Sequence, residues 1–145
     1  MSGFDFTLHQ KPIFDSKTSY IQLQVGKGKK QQPSIYIDSE AFDCIRGVIW
    51  NKHREFGNQK KINQINNDDW CRILKGFEEA IVNLKACTDA DQLIDVLAIR
   101  NQFASQKESI FAHKEALQQF IRTLIQWIEM HLKKEKYILI IQNDL

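Results

Sequence analysis

The chain predicts an α+β fold: a small, mainly antiparallel sheet of three N-terminal strands and one C-terminal strand, packed against about four helices. Three observations lead there. Near the N-terminus, apolar residues alternate with polar ones, the period of strands with one wet face. Both prolines and five of the six glycines lie before residue 60, and neither type occurs after Gly76. Turn-rich sequence therefore comes first and helical sequence follows. At the far end, Phe120 to Leu132 holds eight large apolar residues in thirteen, and Tyr137-Ile138-Leu139-Ile140-Ile141 follows as a continuous β-prone run. A helix apolar around most of its circumference must be surrounded by its neighbours. A wholly apolar strand must be covered on both faces. The C-terminal segment is thus the expected structural centre, with a strand over 137–141 inside the sheet.

Phe4, Phe6 and Leu8 predict the first strand, and Ile21, Leu23 and Val25, alternating with Gln22 and Gln24, predict the second. A polar, glycine-containing loop over 26–32 leads through Pro33 into the third, Ser34-Ile35-Tyr36-Ile37. Three such strands in succession suggest an antiparallel meander. Asp38 or Ser39 then caps a helix running to about Phe56, because short polar side chains accept the free N–H groups of a first turn. Its inner stripe is Ala41, Ile45, Val48 and Ile49, with Phe42 and Trp50 on the flanks and Gly57 as a left-handed C-cap. Residues 58–67 read as a polar loop. Asn67 caps the next helix, whose first turn holds Asp68 and Asp69, where negative charge suits the helix dipole. Trp70, Ile73, Leu74, Phe77, Ile81 and Leu84 form its buried stripe.

A capping-box pattern, Thr88-Asp89-Ala90-Asp91, opens a further helical stretch. Unbroken to Leu132, that stretch would measure about 66 Å. A compact chain of this size is only about 40 Å across. The stretch must therefore break, and Ser105-Gln106-Lys107-Glu108 is a second capping box at which to restart it. The expected helices span about 89–103 and 106–133.

At 145 residues the chain reads as one domain over 1–145 and buries about 68–70% of its unfolded surface without needing a disulfide or metal. The start of the sequence lacks the charged and apolar regions of a secretory signal. No run approaches the roughly 18 apolar residues of a membrane span. Cys44, Cys71 and Cys87 are odd in number and form no C-x-x-C pair, which predicts buried, reduced thiols and a cytoplasmic location.

The residue types that carry chemistry do not assemble into a site pattern. His9, His53, His113 and His131 show neither H-x-x-x-H nor E-x-x-H spacing, so a helix-borne metal site lacks its scaffold. Cys44 and His53, nine residues apart on one helix, do not face each other as nucleophile and base. Asp89, Asp91 and Asp95 resemble a calcium loop only until its sixth position, which is Ile94 where a sharp turn needs glycine. Gly28-Lys29 is followed by Lys30 and then by a strand, not by the Ser or Thr and helix of a phosphate-binding loop. The expectation is a non-enzymatic protein with no catalytic residue, metal or cofactor.

Charge is more informative than any motif. Overall the chain is +2, yet residues 1–67 carry ten Lys/Arg against six acids, a net of +4, and residues 68–95 carry three against seven, a net of −4. Such asymmetry bears on partners and steering rather than fold. The acidic stretch supplies a candidate protein-binding surface of Asp69, Glu78, Glu79, Asp89, Asp91 and Asp95, suited to a basic partner. Its alternative is a basic surface of Lys27, Lys29, Lys30, Arg54, Lys60 and Lys61 that would contact nucleic acid in a regulatory protein.

The entry from strand to helix at Ser34-Ile35-Tyr36-Ile37-Asp38-Ser39-Glu40-Ala41-Phe42 and the Asp68-Asp69-Trp70 helix start, in a small chain without an active site, resemble the layout of bacterial toxin-immunity proteins. Those belong to contact-dependent growth inhibition and related polymorphic-toxin systems. The resemblance covers the whole chain as a layout and carries over no functional residue. It implies a cytoplasmic protein that binds one toxin domain and blocks it. Immunity proteins against nucleases are often acidic overall, whereas this chain is slightly basic, so any mimicry of phosphate would be confined to residues 68–95.

Overall fold

The computed structural model describes residues 4–12, 19–26, 32–56, 60–99 and 106–142. It shows the expected α+β class: a four-stranded antiparallel sheet with five helices among the described residues. The strands are β1 (Tyr20–Val25), β2 (Ser34–Asp38), β3 (Ile62–Asn66) and β4 (Tyr137–Gln142), in the spatial order β2-β1-β4-β3. The helices are α1 (Ser39–Lys52), α2 (Asn67–Ala86), α3 (Asp91–Val96), α4 (Lys107–Ala112) and α5 (Lys114–Leu132).

β4 lies inside the sheet as its apolar run requires, antiparallel to β1 on one side and to β3 on the other. Its backbone alternates between the two neighbours. Gln142 donates its N–H to the Lys61 carbonyl at 2.7 Å, and the Tyr137 carbonyl accepts from Gly26 at 2.8 Å. The side chains of Ile21, Leu23, Val25, Ile35, Ile37, Ile65, Ile138 and Ile140 share one face and join a single buried cluster with the helices. Within that cluster α1 packs on β1 and β2, α2 on β3, and α5 on α2. The opposite face carries Tyr20, Gln22, Gln24, Ser34, Tyr36 and Gln64, which are half-buried or exposed, around Leu139.

One strand differs from the expectation. Phe4, Phe6 and Leu8 form no strand; the segment makes a single bridge, His9 to Tyr36. Its apolar side chains pack sideways instead, Phe4 on Phe6 at 5.5 Å and Phe6 on Phe120 at 5.3 Å. Burial against α5 takes the place of a ladder. The missing strand is β3, inside the stretch expected to be a polar loop. There Asn63, only 4% exposed, takes an inward position where alternation calls for a hydrophobe, and the pairing with β4 overrides the weak local pattern.

Helix boundaries shift for physical reasons too. Asp38 caps α1 as expected, accepting the Ala41 N–H at 3.3 Å, but α1 ends at Lys52 because His53 is extended; Gly57 lies outside the described residues. The cap of α2 is Asn66 rather than Asn67, its Oδ1 accepting the Asp69 N–H at 2.9 Å. At α3 the reciprocal bonds are those of Asp89 and Gln92: Asp89 Oδ1 accepts from the Gln92 N–H, and Gln92 Oε1 accepts from the Thr88 N–H. That helix stops at Val96, short of the expected 103, and Ala98 follows at φ 51. The restart after 105 is observed, although Ser105 itself lies outside the described residues. His113 then interrupts the predicted 106–133 helix and separates α4 from α5.

The turn after α3 comes against α1 at Gly47. A Cβ on Gly47 would stand 2.2 Å from the Ala98 carbonyl oxygen and 2.7 Å from that of Leu97, both backbone atoms. At Gly76 in α2 the nearest atoms are on the flexible Lys52 side chain, at 3.0 Å and 3.1 Å. Gly47→Ala is therefore expected to destabilise the fold by about 1–3 kcal/mol. Gly76→Ala should stay within about 1 kcal/mol of the wild type, because the helix favours alanine by a similar amount. Urea midpoints of the two variants check this, and equal midpoints would contradict the close approach at Gly47.

Candidate functional site

The solvent face of α2 follows from its buried one. With Trp70, Ile73, Leu74, Phe77, Ala80, Ile81 and Leu84 turned inward, helical spacing leaves Lys75, Glu78, Glu79, Val82 and Asn83 outward. These five line a shallow groove of about 390 Å³. Val82 is 65% exposed, the most exposed of the three large hydrophobic residues at the described surface. Glu79 reaches Lys52 Nζ at 3.4 Å, whereas Glu78 forms no ion pair among the described residues.

The other predicted acids divide. Asp89 is used in the Gln92 cap, Asp91 pairs with Lys107 at the start of α4, and Asp95 is exposed on α3. α3 packs on α2, so these acids and the groove belong to neighbouring elements. Asp69 is different. Its Oδ1 pairs with Arg72, its Oδ2 lies 3.6 Å from His53 Nδ1, and its side chain is 21% exposed. It sits where the end of α1 meets the start of α2, ion-paired with Arg72 and close to His53.

Of the predicted basic surface, Lys27, Lys29 and Lys30 lie outside the described residues. Arg54 stacks over the Trp50 ring at 4.1 Å. Lys60 and Lys61 project side chains into solvent while their carbonyls are tied to Gln142, that of Lys60 accepting from Nε2 at 2.8 Å and that of Lys61 from the backbone N–H.

Burial separates the thiols. Cys44 is pushed up to about 12, by burial first and then by Asp43, Glu40 and Asp38, so its thiol stays protonated and inert. Cys87 is also buried and raised, but Cys71 is exposed, against the expectation of three buried thiols. Cys71 borders a second open groove of about 560 Å³ between α2 and α5, together with Asn67, Leu74, Gln126, Met130 and Lys133. Among the described residues no group of three or more His, Cys, Asp or Glu could hold a metal ion, and no helix is long and apolar enough to cross a membrane.

A polar cluster that sequence reasoning missed closes one end of the core. Gln142, 1% exposed, accepts from Arg46 through Oε1 and donates through Nε2 to the Lys60 carbonyl. Arg46 also holds Asp43 at 2.8 Å and stacks on Phe42 at 5.1 Å. The available signal was phase: Ile138, Ile140 and Gln142 share one face of β4, so the glutamine occupies a core position. Both ends of its amide are satisfied, as a buried polar group requires.

The chain matches no known family model, and searches of curated proteins and of solved structures found no match either.

Two of the four half-buried histidines, His53 and His131, set a pH dependence. Burial, above all, pushes His53 and His131 below 6.5, with Arg72 and Lys60 adding to the shift at His53 and Lys134 at His131. The folded state then binds protons less tightly than the unfolded state, so stability is full above pH 6.5 and declines as pH falls through it. Melting temperature is expected to drop from about pH 7 to about pH 5.5. His53→Gln with His131→Gln should flatten that slope, and an undiminished slope in the double variant would assign it to other groups.

Proposed function

We propose that this chain is a non-enzymatic protein-binding module: an immunity protein that works in the cytoplasm, where it binds and neutralises a cognate bacterial toxin domain. The groove on α2 carries this reading, because it sets an exposed valine one helical turn from two adjacent carboxylates. Covering such a side chain contributes roughly 1.5–3 kcal/mol if its burial is complete. The flanking charges act differently, steering a basic surface into contact and raising the association rate. Glu78 and Glu79 are the central residues of the surface, with Asp89, Asp91 and Asp95 extending it along α3. Asp69, already committed to His53 and Arg72, serves the scaffold.

The test is a growth competition in the native host. Cells lacking the chain should be inhibited by their wild-type siblings, and the wild-type chain should restore growth. A Glu78→Lys/Glu79→Lys/Val82→Asp variant, all at exposed positions of α2, should fold normally and fail to protect. Association of the purified variant with the captured toxin domain should slow by about tenfold or more at low salt. Unimpaired growth of the deletion strain removes the immunity role. Capture of nucleic acid instead, released by salt as phosphate contacts are lost, would transfer function to Arg54, Lys60 and Lys61.

A further inference from the structure

Among the described residues the helices cover one face of the sheet only. The buried cluster they form takes its strand residues from the inner face, and no outer-face residue of the four strands joins it. Leu139 is 4% exposed yet stands apart from that cluster, flanked across the two ladders by Gln24 and Gln64. All three tyrosines of the chain, Tyr20, Tyr36 and Tyr137, stand on this outer face. The one carboxylate among the strand residues, Asp38, is turned to the start of α1, where it accepts the Ala41 N–H. In a chain that is 26% charged, the rest of the outer face carries no charged side chain among the described residues. Two of its amides are held in one orientation. Gln22 Nε2 donates to Gln24 Oε1 at 3.3 Å and to Ser34 Oγ at 3.2 Å. That relay leaves Gln22 Oε1 as an acceptor and Gln24 Nε2 as a donor, neither of them bonded among the described residues. Gln22 lies opposite Tyr36 in the ladder, and the Tyr36 ring meets that of Tyr20 edge to face at 5.6 Å.

We propose that this outer face binds a neutral, β-linked oligosaccharide through Gln22, Gln24, Tyr20 and Tyr36. Charge selects the class of ligand. Phosphates and carboxylates require cations opposite them, and basic peptides require anions, whereas this face offers neither. A sugar ring requires no counter-charge. Its axial hydrogens make an apolar face that packs on an aromatic ring. Its neighbouring hydroxyls each donate and accept, which matches one amide acceptor set beside one amide donor. A few fixed polar groups next to aromatic rings is the usual composition of a small-ligand site. Equatorial β-linkages keep successive rings in an extended ribbon, a shape that lies along an open sheet face where a coiled α-linked chain does not. Helix α2 packs on the inner side of β3, so its solvent-facing groove is across the sheet from this site. The saccharide reading therefore stands or falls independently of the proposed function.

Titration of the full, nitrogen-15-labelled chain with cellotetraose and with tetra-N-acetylchitotetraose, followed by NMR, tests this. A dissociation constant of about 1 mM or tighter is expected for at least one of the two. The side-chain amide signals of Gln22 and Gln24 should be among those that move most. Gln22→Leu keeps the volume but removes the acceptor, and Tyr36→Leu removes a ring from the strand surface. Each should weaken binding about fivefold or more while the chain still melts cooperatively. The shift map of the wild-type chain gives the same answer without a variant, since movement confined to other surfaces overturns the placement. No movement with either sugar up to about 20 mM overturns the proposal. Binding of a ten-residue oligothymidylate instead, weakening as salt is added, overturns it too and gives the face to single-stranded nucleic acid.

Discussion

The fold depends on β4 having a neighbour on each side. Both ladders of this strand join parts of the chain that lie far apart in sequence: Tyr20–Val25 on one side and Ile62–Asn66 on the other. Without it, β1 and β2 are a hairpin and β3 is an isolated segment, and neither is stable alone in water. Helix α2 adds a third attachment. The Trp70 indole N–H donates to the Ile138 carbonyl at 3.0 Å with the ring buried, so the first turn of α2 is bonded directly to the middle of the sheet. A buried indole needs such a partner, and here the partner is the strand that every other strand and the central helix rely on.

Polar groups complete what the apolar core begins. The inward face of β4 ends not in a hydrophobe but in Gln142, bonded to Arg46 of α1 and to the loop before β3. An aliphatic residue there would contribute burial but would not specify which element covers it. The amide, by contrast, leaves an unsatisfied donor or acceptor if α1 or Lys60 is misplaced, a penalty that discriminates against wrong packings. At the junction of α1 and α2, Asp69 ion-pairs with Arg72 of its own helix and lies 3.6 Å from His53.

How much of this was legible depended on whether a residue's partner was local. The stripes of α2 and α5 repeat within one helix, and the alternation of Ile21, Leu23 and Val25 lies within one strand; each could be read directly. β3 could not, because Ile62-Asn63-Gln64-Ile65-Asn66 owes its extended form to β4, more than seventy residues later in the chain. The reverse error at Phe4, Phe6 and Leu8 has the same root: alternation was present, but the surface it met was α5. At the candidate site, the acidic character of residues 68–95 was plain from composition. That Asp69 lies beside His53 while Glu78 and Glu79 stand near an exposed valine depends on how α1 and α2 cross, and no local pattern records that.

The order of the strands also has a consequence for synthesis. Ribosomes deliver β1, β2 and β3 well before β4, and the slot between β1 and β3 must wait for residues 137–142. Until then the nascent chain displays two unmated strand edges and the apolar faces of α1 and α2, the kind of surface that engages chaperones or neighbouring nascent chains. During synthesis the sheet can close only once residues 137–142 have emerged, and the contacts that close it are long in sequence, a topology that slows folding in general. The protein's yield in a cell would then be governed less by final stability than by how long that slot stays open.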